Sequence, residues 1–181
     1  MMPQRTPAWL RRDQAADKFR PKRIHLLLVG DAPAEEERWF YSTSPEALDP
    51  RFAQVCEVIF ENAPNGTPEV LLKELRRRGV FYVDLKPDGP RSGESLAPYV
   101  GPFLINLGTL GPEKIIILEP EAYDAAFSRM SEAGLPVVDV RVPNLDPESP
   151  ESFRQKLRQA IVRADLEKLI RPRPTPKRGA G

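Results

Sequence analysis

Residues 24–30, IHLLLVG, form a nearly unbroken apolar run closed by a glycine, and no other feature constrains the fold of this chain as strongly. A strand with one wet face alternates apolar and polar residues, whereas a continuous run predicts a strand buried on both faces. Such a strand needs helices packed above and below it. VFYVDLK (80–86), KIIILE (114–119) and LPVVDVRVP (135–143) repeat the signal. Between these runs the apolar spacing changes to that of helices. Phe52, Val55, Cys56, Ile59 and Phe60 place one buried stripe on a helix over 49–61. PEVLLKELRRRG predicts a helix closed by Gly79. Leu96, Val100, Phe103, Leu104, Leu107 and Leu110 mark another over 95–110, with Pro98 and Pro102 predicting a late start or a kink. Further helices are expected over 121–133 and from Ser149-Pro150 onward, the last carrying Phe153, Leu157, Ile161 and Leu169. The units SPEA, TPEV, GPEK and DPES read as helix starts, with a cap followed by Pro and Glu. The expected fold is therefore α/β: a three-layer αβα arrangement with a mainly parallel sheet of about four strands and helices on both faces.

Charge divides the chain more sharply than its net value of +1 suggests. Residues 1–23 carry seven Lys/Arg against two Asp, and residues 171–181 carry four Lys/Arg and no acid. The body between them is acidic, with sixteen basic and twenty-four acidic residues. A polyanion would be repelled by such a body and attracted to the two ends. The expected organisation is a basic flexible arm over 1–23, with a short helix around Ala8–Lys18, a domain over 24–170, and a disordered basic tail over 171–181. Arg11, Arg12, Lys22, Arg23, Lys177 and Arg178 are the candidate DNA contacts. No apolar run reaches bilayer length, and the N-terminal stretch lacks the apolar segment of a secretory leader. Cys56 is the only cysteine, so no disulfide or cysteine-held cluster can form within one chain. A cytoplasmic setting is the expectation. The twenty-one prolines, abundant Arg and Glu, and single cysteine suit a thermophile.

In open parallel sheets ligands bind outside the carboxyl ends of the strands. Phosphate-cradling glycine motifs of either the P-loop or the dinucleotide type are absent from the sequence. His25, the one histidine, lies among aliphatics and reads as structural. No metal or cofactor is expected, because His/Cys clusters are lacking. Carboxylates remain: Asp31, Glu35, Glu36, Glu37 and Asp84. The glutamate triplet reads mainly as the first turn of a helix, where acids complement the dipole. Asp31, directly after the strand glycine, can orient water or stabilise a cationic transition state. Phe40 and Tyr41 offer either a stacking face for a planar ligand or ordinary core packing.

The stretch LLLVGDAPAEEERWFY resembles the first active-site motif of the uracil-DNA glycosylase superfamily, especially its thermophile iron–sulfur branch, in which a strand ends in Gly-Glu-x-Pro-Gly-Glu-Glu-Glu before a Phe. The block from FYVDLKPDG to the helix after KIIILE is similar to the family's next block and to a group of uncharacterised glycosylase-like proteins. The resemblance spans about Ile24 to Ala164. It implies DNA repair by base flipping: hydrolysis of an N-glycosidic bond, with DNA as partner and weak or altered base specificity. Asp31 would be the catalytic acid, Ala32 would bring its backbone to the base, and Glu37 matches the motif's last glutamate. Phe40, or Tyr41, would stack on the flipped base, Asp84 would read its edge, and Asn144 lies in the second motif, RVPNL (141–145). Three positions depart from the family pattern. Val142 stands where that motif has histidine, Asp84 replaces an asparagine, and the cluster cysteines are missing. An ionised carboxylate only accepts hydrogen bonds, whereas an amide also donates, so Asp84 alters what the edge of a base must present. The alternative is a catalytically inactive member of the fold that binds a nucleotide, DNA or another protein.

Overall fold

The structure is a computed structural model that describes residues 6–35, 37–61, 65–88 and 93–172. Its centre is a three-stranded parallel sheet in the order β2-β1-β3, made of β1 (Leu26–Gly30), β2 (Val80–Asp84) and β3 (Lys114–Ile117). β1 pairs with both neighbours, Leu26 lying opposite Val80 on one side and Lys114 on the other. Every residue of β1 is buried, as an apolar run without alternation requires.

Alternate residues of the strands feed two separate cores. Leu26, Leu28, Val80, Tyr82 and Ile116 face α2 (Pro50–Phe60), α3 (Pro68–Arg77) and α6 (Glu151–Arg163), meeting Phe52, Leu72 and Phe153. Leu27, Val29, Phe81, Ile115 and Ile117 face α4 (Ala97–Leu110) and α5 (Pro120–Glu132), meeting Val100, Phe103 and Met130. The fold is thus α/β with helices on both faces. α4 begins at Ala97, with Pro98 in the first turn, where no amide donor is needed, and it carries Pro102 inside.

Residues 135–143 do not form the expected fourth strand. Ile115 donates to the carbonyl of Pro136 and accepts from Val138, giving one isolated parallel bridge to Val137. Pro136 and Pro143 have no amide hydrogen, and the amides of Val137 and Val140 turn back to Leu135 and Val138. The segment keeps the side-chain alternation of a strand, with Val138, Val140 and Val142 buried and Asp139 and Arg141 exposed. Side-chain burial alone does not secure a ladder.

Of the four Pro-Glu units, TPEV opens an α-helix, α3, with the Thr67 hydroxyl accepting from Val70. SPEA makes a single 3-10 turn, Pro45–Ala47. In GPEK, Gly111 is the left-handed cap that ends α4, and the chain goes on into β3. DPES forms a turn closed by Ser149 onto Asp146, ahead of α6. A proline fits the first turn of any such bend, so the unit marks a turn rather than a helix.

The expected flexible arm also needs correction. α1 (Pro7–Lys18) is capped by Thr6, whose hydroxyl donates to Asp88, while Arg12 donates to the carbonyl of Pro87. Phe19 closes the attachment, 3% exposed within the core beside Tyr41. Residues 6–23 are therefore built onto the body, because one buried aromatic outweighs the polar composition around it. Phe19→Ala is expected to lower stability by about 3–5 kcal/mol, read as a reduced urea midpoint. A free arm would leave the midpoint unchanged.

Candidate functional site

The three parallel strands deliver a carboxylate apiece to the same end of the sheet. Asp31 follows β1, Asp84 ends β2, and Glu119 comes two residues after β3. At Glu119 the backbone takes a φ of 72°, a conformation that costs a non-glycine residue about 1–3 kcal/mol. Asp49, the N-cap of α2, adds a fourth acid.

Arg51 sits among them. Asp49 grips it through Nε and Nη2 at 2.9 and 2.6 Å, while Nη1 donates to Asp31 at 3.1 Å and to Glu119 at 3.3 Å. Nη2 also donates to the carbonyl of Ala32 at 2.7 Å and lies 3.5 Å from Asp84. Asp31, Asp49, Arg51 and Glu119 are all buried. Burial opposes the arginine's charge, but the acids and Tyr82 around it prevail, so the guanidinium stays protonated. Four acids share one guanidinium, and at Asp84 the balance shifts toward the neutral form. Burial pushes its carboxyl up to about 6, against the opposing pull of Arg51 and of the Tyr82 hydroxyl, which donates to it at 2.6 Å. Its side chain is 17% exposed, more than any other member of the cluster.

Gly30 has its reason here. A Cβ at that position would stand 2.1 Å from the Tyr82 hydroxyl and 2.7 Å from Arg51 Nη1, so only glycine lets both side chains cross the strand end.

Asp31, Ala32 and Asp84 do come together, but their polar groups face inward. Asp31 Oδ1 accepts from the Ala32 amide at 2.6 Å as well as from Arg51. Ala32 therefore has both its N–H and its carbonyl engaged within the protein. Phe40 is 5% exposed and stacks on Tyr82, centroids 4.2 Å apart and planes 8° apart, with Phe52 and Tyr41 against it edge-on. Tyr41 uses its hydroxyl on the edge strand: it donates to the carbonyl of Tyr82 and accepts from the same residue's amide. This closes an otherwise unpaired part of β2. Neither ring presents a stacking face to a ligand, so the core-packing reading holds for both.

Among the described residues neither Glu35 nor Glu37 is in a helix. Glu35 and Arg38 form a short turn joined by an ion pair at 3.2 Å, and Glu37 is exposed. Trp39, one residue on, bonds across to Ala47 and Asp49, which holds this stretch extended. Glu36 lies outside the described residues, as do Lys177 and Arg178. Asn144 is exposed at the rim, its amide 3.5 Å from Glu121 in the first turn of α5, and Val142 is buried in the core. Arg11 lies on α1, and Arg12 stands 6.0 Å from the Trp39 ring. Lys22 and Arg23 lie at the opposite end of the sheet from Asp31, beside the residues that precede β1 and β2.

Arg51 and Glu119 are not among the candidates that the sequence offers. Glu119 is detectable as an acid at the end of an apolar strand, in the same position as Asp31. Arg51 gives a fainter sign: a charge in the turn beside Phe52, at the start of a helix whose other turns bury apolar groups. Among the described residues no group of three or more His, Cys, Asp or Glu side chains is disposed to hold a metal ion.

Replacing Arg51 by leucine leaves buried acids without their counter-charge. The expected loss is about 3–5 kcal/mol at neutral pH, measured by urea unfolding. Asp84 adds a pH signature. Its pKa in the folded protein lies above that of the unfolded chain, so the folded state holds the extra proton between about 4 and about 6. Stability relative to Asp84→Asn should therefore fall as pH rises through that window and level off above it. Unfolding curves for the two proteins across pH 4–7 test the sign, and a difference that grows with pH would contradict this assignment.

No protein-family model matches this chain, and no curated protein matches it either.

Proposed function

We propose that the chain is a uracil-DNA glycosylase-like α/β domain that binds nucleic acid without cleaving the glycosidic bond. The observation that carries this reading is that internal groups fill the strand-end site. Tyr82 stacks on Phe40 and Arg51 bonds Asp31, so neither the ring nor the acid is left open to a ligand there. Asp31 is buried and bonded on one oxygen to both Arg51 and Ala32, so it is poorly placed to activate water. The family reading rests on the motif order around Asp31 and Asp84, and the nucleic-acid partner on the basic residues toward both ends of the chain. A cytoplasmic setting fits a chain whose one cysteine, Cys56, is a buried free thiol.

A second reading, weak base excision with altered specificity, draws support from Asp84. Its carboxyl, pushed up to about 6 and partly exposed, can donate as well as accept when protonated, which is what the family's asparagine does.

The deciding experiment is base release from single- and double-stranded DNA carrying uracil, hypoxanthine or xanthine, at high protein and long times, at pH 5.5 and at pH 8. No product is expected at either pH. Product that appears at pH 5.5 in the wild type, disappears in Asp31→Asn, and persists at both pH values in Asp84→Asn would establish the second reading instead.

A further inference from the structure

At the amino ends of β1 and β2 lies a cleft of about 440 Å³ whose walls are mostly cationic. Lys22 and Arg23 line it from the segment leading into β1, and Lys73, Arg76 and Arg77 from α3. His25 and Gly79 form its inner part. Gly79 has a φ of +74°, and a Cβ there would lie 2.4 Å from the His25 ring and 2.9 Å from the carbonyl of Arg23, so this glycine allows the two segments to approach.

The cations outnumber the acids that hold them. Arg23 pairs with Glu113 at 2.5 Å, Lys73 with Glu69 at 3.0 Å and Arg77 with Glu74 at 2.9 Å. Among the described residues Lys22 and Arg76 have no carboxylate partner, and Arg76 donates instead to the carbonyl of Lys18. Basic side chains in the last turn of a helix complement its dipole, which accounts for Arg76 and Arg77 taken singly. It does not account for Lys22, Arg23 and Lys73 opening onto the same space.

We propose that this cleft binds the phosphodiester backbone of a nucleic-acid strand, a site separate from the strand-end acids. The inference rests on the nucleic-acid reading above and names where the strand is held. The lining favours a chain of phosphates over other phosphate carriers. Among the described residues that line it, His25 is the only aromatic ring, so a single nucleotide gains little stacking for its base, and besides Pro21 no apolar side chain is there to enter a lipid surface. Binding by several charges without base contacts is independent of sequence and steep in salt. The cleft and the Arg51 cluster lie at opposite ends of five-residue strands, about 17 Å apart, so a strand held here does not present a base to Asp31.

The test is fluorescence anisotropy of the full chain with a short labelled single-stranded oligonucleotide, at salt from about 50 to about 200 mM. Lys22, Lys73 and Arg76 are exposed, so the triple variant Lys22→Gln/Lys73→Gln/Arg76→Gln should keep the fold, checked by its unfolding temperature. Affinity should fall about tenfold or more, and the slope of log K against log salt should shrink by about 2, at roughly 0.7 for each phosphate that is no longer neutralised. The control Lys156→Gln/Arg163→Gln removes exposed charge from α6 and should match the wild type. Pyrophosphate should compete weakly, and vesicles of anionic lipid should not displace the oligonucleotide. Wild-type affinity and slope in the triple variant would overturn the cleft while leaving the nucleic-acid reading intact. An equal loss in the control would overturn it too, by showing that net charge alone matters, and preferential vesicle binding would reassign it to a lipid surface. No binding by the wild type at the lowest salt would remove both readings.

Discussion

One buried guanidinium holds the carboxyl end of this sheet together. Parallel strands bring equivalent positions side by side, and here those positions end in Asp31, Asp84 and Glu119. Carboxylates this close in a dry environment repel strongly, and each loses hydration on burial. Arg51 makes the arrangement tolerable because its planar fork reaches several acids at once, where a lysine would offer one point of charge. Asp49 fixes the fork by capping α2 and bonding the same arginine, so the start of the helix and the end of the sheet are joined through one side chain. Gly30 and Tyr82 then follow as requirements of the space that Arg51 occupies.

The same arrangement engages the groups at this end within the protein: Asp31 is bonded to Arg51, and Phe40 is stacked on Tyr82. Asp84 is the most exposed member of the cluster, and burial pushes its carboxyl up to about 6. At the other end of the strands the balance reverses, with cations exceeding acids around the cleft beside His25 and Gly79. The acidic body is therefore locally basic at this end, which is where the proposed phosphate contacts lie.

Phe40 and Tyr41 show why spacing along the chain does not describe a site. Their place after Asp31 allowed either a stacking face or core packing. Tyr82 decides between them. It stacks on Phe40, while its own backbone takes both hydrogen bonds of the Tyr41 hydroxyl. No local pattern around residue 40 announces a partner forty residues away.

Apolar runs and helical stripes were enough to specify the α/β class, three of the strands, most of the helices and the end of the sheet where acids gather, because burial and backbone periodicity are local properties of the chain. The fourth strand failed partly for a reason already visible in LPVVDVRVP, its two prolines, and partly for one that was not. Pro136 and Pro143 lack amide hydrogens, and the amides of Val137 and Val140 turn back along the chain, leaving one bridge where the apolar alternation suggested a ladder. The arm failed likewise, since a single Phe19 decides whether a polar segment docks. Asp31 and Asp84 were legible as candidates from their place after apolar runs, but their chemistry was not. Whether a carboxylate is a base, a bonded anion or a retained acid depends on what lies within about 4 Å of it. Arg51, Glu119 and Tyr82 reach Asp31 and Asp84 only through tertiary packing, and so the sequence by itself determined where the acids stand while the folded structure alone decided which of them are neutralised.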